Sequence, residues 1–154
     1  MIATYALFKL LHIVAVVVFL GNASLGLFWV AHAESTGDKR IIAHAMRGII
    51  RADRWFTMPG IVLIIGAGVA AASSGGLKLL SVGWILGATI MFGLSGLVFG
   101  LALAPLQRRI VSATDSTVDF QATQGMLRRW HVLGWLALLP LWLAVAMMVL
   151  KWPA

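Results

Sequence analysis

Long apolar stretches alternate with short polar ones along this chain. Four stretches are long and apolar enough to cross a bilayer, at about Ala3 to Ala31, Trp55 to Ala72, Leu79 to Leu103 and Trp130 to Leu150. A helix rising 1.5 Å per residue needs about 20 such residues to span the hydrocarbon core. Lipid offers the backbone no partners, so each stretch must satisfy its own N–H and C=O groups as a helix. The pattern predicts an all-α, four-helix transmembrane bundle, up-down-up-down, as one integral membrane domain over residues 1–154.

The polar stretches differ from one another. Glu34 to Arg54 carries Lys39, Arg40, Arg47, Arg51 and Arg54, and Gln107 to Arg129 carries Arg108, Arg109, Arg128 and Arg129. The opposite side holds only Lys9, Lys78 and Lys151. By the positive-inside rule, both long loops face the cytoplasm and both termini lie outside. Ser73 to Lys78 is a short Ser/Gly turn, which predicts that spans two and three are antiparallel neighbours. Ile41, Ile42, Met46, Ile49 and Ile50 recur at helical spacing with basic residues between them. They predict either an amphipathic helix on the membrane interface or an extension of span two.

Composition strengthens the membrane reading. Hydrophobic residues make up 61% of the chain and charged ones 11%, too little polar surface for a soluble domain of this size. The net charge of +7 sits in short loops with no continuous patch, which argues against nucleic acid. There is no cysteine, which excludes disulfides, thiolate metal sites and iron–sulfur clusters. The apolar run from Leu10 to Ala31 is too long for a cleavable signal. Trp29, Trp55, Trp84, Trp130 and Trp152 lie near span ends, where indoles favour the interface. Gly83 and Gly87, then Gly96 and Gly100, are spaced for close helix approach, which also leaves room for a flat cofactor. Pro59 and Pro105 fall near span ends, and Pro140 inside span four should kink it.

Candidate chemistry centres on His12, which lies within span one with Lys9 a turn before it. Polar groups at such depth face the bundle interior, and Ala15, Phe19, Ala23 and Gly26 share its face. Imidazole ligates metals and haem iron; otherwise it hydrogen-bonds a neighbouring helix. Depth matching from Val30 and Trp130 puts Met147 and Met148 at the level of His12, as a second axial ligand or as core filling. His32 and His131 share a level near the cytoplasmic face, with His44 in the loop, and are candidates for a metal or a second haem. Arg51 and Arg54 could clamp haem propionates, pair with Asp53, or meet lipid phosphates. They lie too far from His12 to serve a haem at its level. Asn22 and Ser24 are expected to form interhelical hydrogen bonds. Glu34, Asp38, Asp53, Asp115 and Asp119 are the only acids, all expected in loops, which disfavours a proton pump or cation transporter.

Phe8-Lys-Leu-Leu-His12, Arg51-Ala-Asp-Arg-Trp-Phe-Thr-Met-Pro59 and Gln107-Arg-Arg109 resemble an uncharacterised family of bacterial integral membrane proteins, domain of unknown function 2269. That resemblance covers nearly the whole chain and implies a bacterial inner membrane. More distantly, Lys9 to His12 and His32-Ala-Glu34 resemble the bacterial membrane protoporphyrinogen oxidase family. This likeness implies b-type haem and a functional His12. The chain departs from that family's pattern in span three, which has no His, and at Trp130-His-Val-Leu-Gly134 in span four.

The combined expectation is a bundle that binds haem b or a porphyrin, with a redox or electron-transfer role and quinone or a redox protein as partner. His12 is the axial ligand, completed by Met147, Met148 or a His of a second subunit in a homo-oligomer. A haem-dependent membrane oxidoreductase is the enzyme class in view. The rival is a cofactor-free accessory subunit or a small metal or solute transport protein.

Overall fold

A computed structural model describes residues 2–79, 81–114 and 120–153. Among these residues all regular structure is helical: α1 (Ile2–Ser35), α2 (Lys39–Ala52), a π turn (Asp53–Thr57), α3 (Met58–Ser74), α4 (Gly83–Val98), a second π turn (Phe99–Leu103), α5 (Ala104–Thr114) and α6 (Phe120–Leu150). Four helical runs are long and apolar enough to cross a membrane, as the hydropathy pattern predicts. One end of the bundle carries both basic connections and is called the basic end. The other carries both termini and the turn between α3 and α4.

The helices overrun the expected spans at the basic end. α1 stops before Gly37, whose φ of +68° lies in the left-handed region that favours glycine. Asp38 then caps α2, its Oδ1 accepting the Arg40 N–H at 2.8 Å. α2 does not lie apart on the interface. It runs directly through the first π turn into α3, so it extends span two, with Ile42, Ala43 and Met46 buried. Much of the expected loop from Gln107 to Arg129 is helical too, as α5 and the start of α6. Asp115 and Asp119 lie outside the described residues.

Both π turns precede a proline at the same spacing. A helical proline clashes with the carbonyl four residues back. For Pro59 that carbonyl belongs to Trp55, and for Pro105 to Leu101, each at the centre of a π turn. The widened turn relieves the clash, so these prolines reshape the helix rather than merely mark its end. α6 runs through Pro140 as one helix.

The four helical runs pack as two pairs, α1 along α3 and α4 along α6. Among the described residues α3 and α4 share no extended interface, contrary to the expectation from their short connection. The reason lies in the α1–α3 seam. Tyr5, His12 and Phe19 recur every seventh residue on α1, and their rings sit over Gly75, which caps α3, and over Gly68 and Gly60 within it. Each glycine leaves a notch that a Cβ would fill, at 3.0, 2.9 and 3.3 Å from the nearest ring atom. A seven-residue repeat of knobs is the spacing at which two helices stay in register along their length.

The two pairs join through α2 against α5 and α1 against α6, while the second π turn and α5 extend the packing of α4 on α6. The largest fully buried side chains, Val30, Ile42, Met46, Ile110, Thr123 and Leu127, all lie toward this basic end. Where the helices run beyond lipid, water makes apolar burial favourable, at roughly 1.5–3 kcal/mol per large side chain. Within the spans that force is absent, and side chains such as Val17, Val62 and Leu97 stay exposed to lipid. Trp130 belongs to the buried core, not to the interface expected for it, being 2% exposed.

Candidate functional site

His12 is held by α3. Its Nδ1 donates to the Ile64 carbonyl at 2.8 Å, and the Nδ1–Cε1 edge of the ring lies against Gly68. With Nδ1 carrying the proton, Nε2 keeps its lone pair. Among the described residues Nε2 has no hydrogen-bond partner. A backbone carbonyl on one ring nitrogen fixes the tautomer and orientation of a histidine whose other nitrogen ligates a metal. It is also a complete interhelical hydrogen bond, the other expectation for this residue.

The seat predicts its own disruption. A Cβ at residue 68 would stand 2.9 Å from Nδ1 and 3.0 Å from Cε1, with rigid ring atoms as the obstacle. Gly68→Ala should lower stability in detergent by about 1–2 kcal/mol through loss of the Ile64 bond and local overpacking. The cost should shrink in a His12→Ala background, as a double-mutant cycle by thermal unfolding would measure.

Met147 lies near the depth of His12 but is turned away. From the Phe19–Phe92 ring contact, His12 is seven residues toward the terminal end on α1 and Gly87 five residues on α4. The two levels thus differ by about 3 Å. Met147, however, folds its thioether onto Gly87, with Cε 2.6 Å and Sδ 3.2 Å from where a Cβ would stand. Its packing is therefore within the α4–α6 pair, while that of His12 is within the α1–α3 pair. Met148 is half-buried. Arg51 and Arg54 are exposed at the basic end. Arg51 precedes Ile64 by 13 residues, about 20 Å along the helix, so these arginines do not reach the level of His12.

The other histidines do not assemble. His131 Nε2 meets Glu34 Oε2 at 3.1 Å. His32 instead stacks on Phe28, with centroids 6.2 Å apart, on the exposed side of α1. Residues 32 and 34 are about 200° apart around a helix, so when Glu34 faces α6, His32 faces outward. His32 and His131 thus lie near one level but face different ways. His44 is exposed on α2. Among the described residues no group of three or more His, Cys, Asp or Glu is placed to hold a metal.

A second polar site is less visible in the sequence. Asp53 heads the first π turn, and its carboxylate turns inward rather than to Arg51 or Arg54. Thr57 Oγ1 donates to Asp53 Oδ1 at 2.8 Å, and Gln107 Nε2 donates to Oδ2 at 3.1 Å. Asn22 Nδ2 in turn donates to Thr57 Oγ1 at 3.1 Å. The network ties α1, the first π turn and α5 together, with Thr57 and Gln107 fully buried. Asn22 thus makes the interhelical bond expected of it. Ser24 does not: its buried Oγ has no partner among the described residues. Asp53 and Thr57 one turn apart were a usable signal, but Gln107 is 54 residues away and nothing local points to it. Asp53 and Thr57 lie in the first π turn and Gln107 lies four residues after the second, and π turns recur at functional sites.

No protein of curated function and no solved structure matches the chain. The distant likeness to membrane protoporphyrinogen oxidases accordingly finds no support in these comparisons. The family described as predicted integral membrane protein (DUF2269) matches residues 6–152, nearly the entire sequence, and the chain belongs to that family.

Proposed function

We propose that this protein binds a b-type haem or related porphyrin in the membrane and serves redox or electron-transfer chemistry there, with His12 as an axial ligand. The observation that carries the proposal is the His12–Ile64 hydrogen bond, which places the proton on Nδ1 and leaves the lone pair of Nε2 for a ligand bond. By accepting this hydrogen bond the Ile64 carbonyl raises the basicity of Nε2, and the Gly68 notch lets the ring lie against α3. His12 would hold such a group from one side, and Met148 or a histidine of another copy would supply a second ligand, because Met147 packs on Gly87. Bound haem would supply one-electron transfer at a potential set by its axial ligands. Ala15 and Phe19, buried on the same face of α1, would help to keep water from the group. Arg51 and Arg54 hold no propionate at this level. A lipid-soluble quinone is the partner class that such a site would meet directly in the bilayer.

A cofactor-free role competes on the same bond. Tyr5, His12 and Phe19 form one series of knobs, and in that series His12 simply fastens α1 to α3. Absorbance of the detergent-purified protein from haem-replete cells separates the two. A Soret band that disappears in His12→Ala is the expected result. A colourless parent protein without iron by elemental analysis would overturn the haem proposal and leave the fastening role.

A further inference from the structure

An open groove of about 760 Å³ lies at the basic end between α6 and the run formed by the second π turn and α5. We infer that it is a binding site for one anionic glycerophospholipid, with the phosphate on Arg109, Arg128 and Arg129 and an acyl chain along Leu101 and Val132. It is independent of His12, which lies in the other helix pair.

The lining is graded along the groove. Leu101, Pro105 and Arg109 are four residues apart, so they follow one face of their helical run, from apolar to cationic. α6 runs the opposite way, through Gly125, Arg128, Arg129 and Val132, from open space and cations into apolar surface. Both walls therefore place charge at the mouth and hydrocarbon toward the membrane. A phospholipid has that order of headgroup and chain, whereas a soluble anion would use only the mouth. Gly125 has nothing within 4 Å of a Cβ position, which keeps the mouth wide enough for a headgroup. Leu101 is 78% exposed, so the lower wall is free to take an acyl chain.

Charge complementarity selects the headgroup. Three guanidinium groups meet at the groove, and among the described residues none of them has an anionic partner. Arginine suits phosphate because its fork of donors matches two oxygens at once. Basic pockets between membrane helices recognise anionic headgroups by this chemistry.

The test is native mass spectrometry of the full-length protein in detergent, titrated with phosphatidylglycerol or with phosphatidylcholine of the same chain length. One phosphatidylglycerol should be retained, at least tenfold more tightly than phosphatidylcholine. Arg109→Gln/Arg128→Gln should weaken retention roughly thirtyfold, taking about 1 kcal/mol per arginine. Arg40→Gln/Arg108→Gln removes the same charge from the same end, outside the groove, and should leave retention near that of the parent. Both variants change exposed side chains, and an unchanged unfolding midpoint confirms that each is folded. Equal binding of the two lipids would overturn the proposal. So would an equal loss in the two variants, which would mean diffuse attraction, or displacement of the lipid by millimolar inorganic phosphate, which would mean a soluble-anion site.

Discussion

Asp53→Ala is expected to destabilise the protein by about 2–4 kcal/mol in detergent, while Asp53→Asn stays within about 1 kcal/mol of the parent. The alanine variant removes the acceptor for two buried donors, Thr57 Oγ1 and Gln107 Nε2, and a stranded donor costs about 1–3 kcal/mol. Thr57 cannot readily turn its hydroxyl elsewhere without disturbing the bond it accepts from Asn22. Asparagine has a different outcome. Its carbonyl can still accept from Thr57, and a flipped Gln107 amide can accept from its NH₂ group, so every partner is kept. It also removes a carboxylate that is held by neutral donors, with no cation paired to it among the described residues. Unfolding midpoints of the two variants check the order. If asparagine proves as damaging as alanine, the negative charge itself is what the site requires, and hydrogen bonding is not its main role.

The four crossings were legible because lipid imposes a simple code: about 20 apolar residues per helix, whatever the packing. Helix ends at the basic side obeyed a different code. Ile42 and Met46, interleaved with basic residues, fit an interfacial helix or an extension of span two equally well by pattern, and they are buried where α2 packs against α1 and α5. Ile110 read as part of a loop and is fully buried on α5. Amphipathic helices that pack on one another outside the membrane lack a hydropathy signal. Neighbour relations were hidden for a related reason. Loop length favoured α3 beside α4, but side-chain shape favoured α1, whose rings fit the α3 glycine notches. The prolines carried more than was read from them, since Pro59 and Pro105 each impose a π turn.

For the candidate site, depth was readable and direction was not. Counting residues from the span ends put Met147 near the level of His12, and the Phe19–Phe92 contact agrees. Counting did not show that Met147 folds onto Gly87, because that depends on how α4 and α6 are rotated. The same blindness paired His32 with His131, when Glu34 is the residue that faces α6. The Asp53 network combines both difficulties: its carboxylate was read as part of a basic loop, and Gln107 reaches it only because α5 continues past the span.

Phe19→Ala is expected to loosen the joint between the two helix pairs and to cost about 2 kcal/mol. Phe19 is buried; its ring lies over Gly60 of α3 and stands 5.8 Å from the ring of Phe92 on α4, tilted by 49°. It thus links the pairs beyond the basic end, where α2 and α5 make the main connection. In a soluble core, Phe→Ala costs about 3–5 kcal/mol, part of which is transfer of the ring from protein to water. Inside the bilayer a separated helix leaves the same ring in hydrocarbon, so that part is largely absent. The cavity and the lost dispersion contacts remain, because lipid tails cannot enter a gap closed by three helices. Phe19→Leu, which keeps most of the contact with Gly60, should cost less than half as much. The chain contains no cysteine, so spin labels at Leu7→Cys and Leu86→Cys, exposed positions on α1 and α4, report the separation directly. Their distance distribution should broaden in Phe19→Ala. A distribution and an unfolding midpoint both unchanged would mean that the basic end alone holds the pairs together, with the aromatic contact a consequence of that packing.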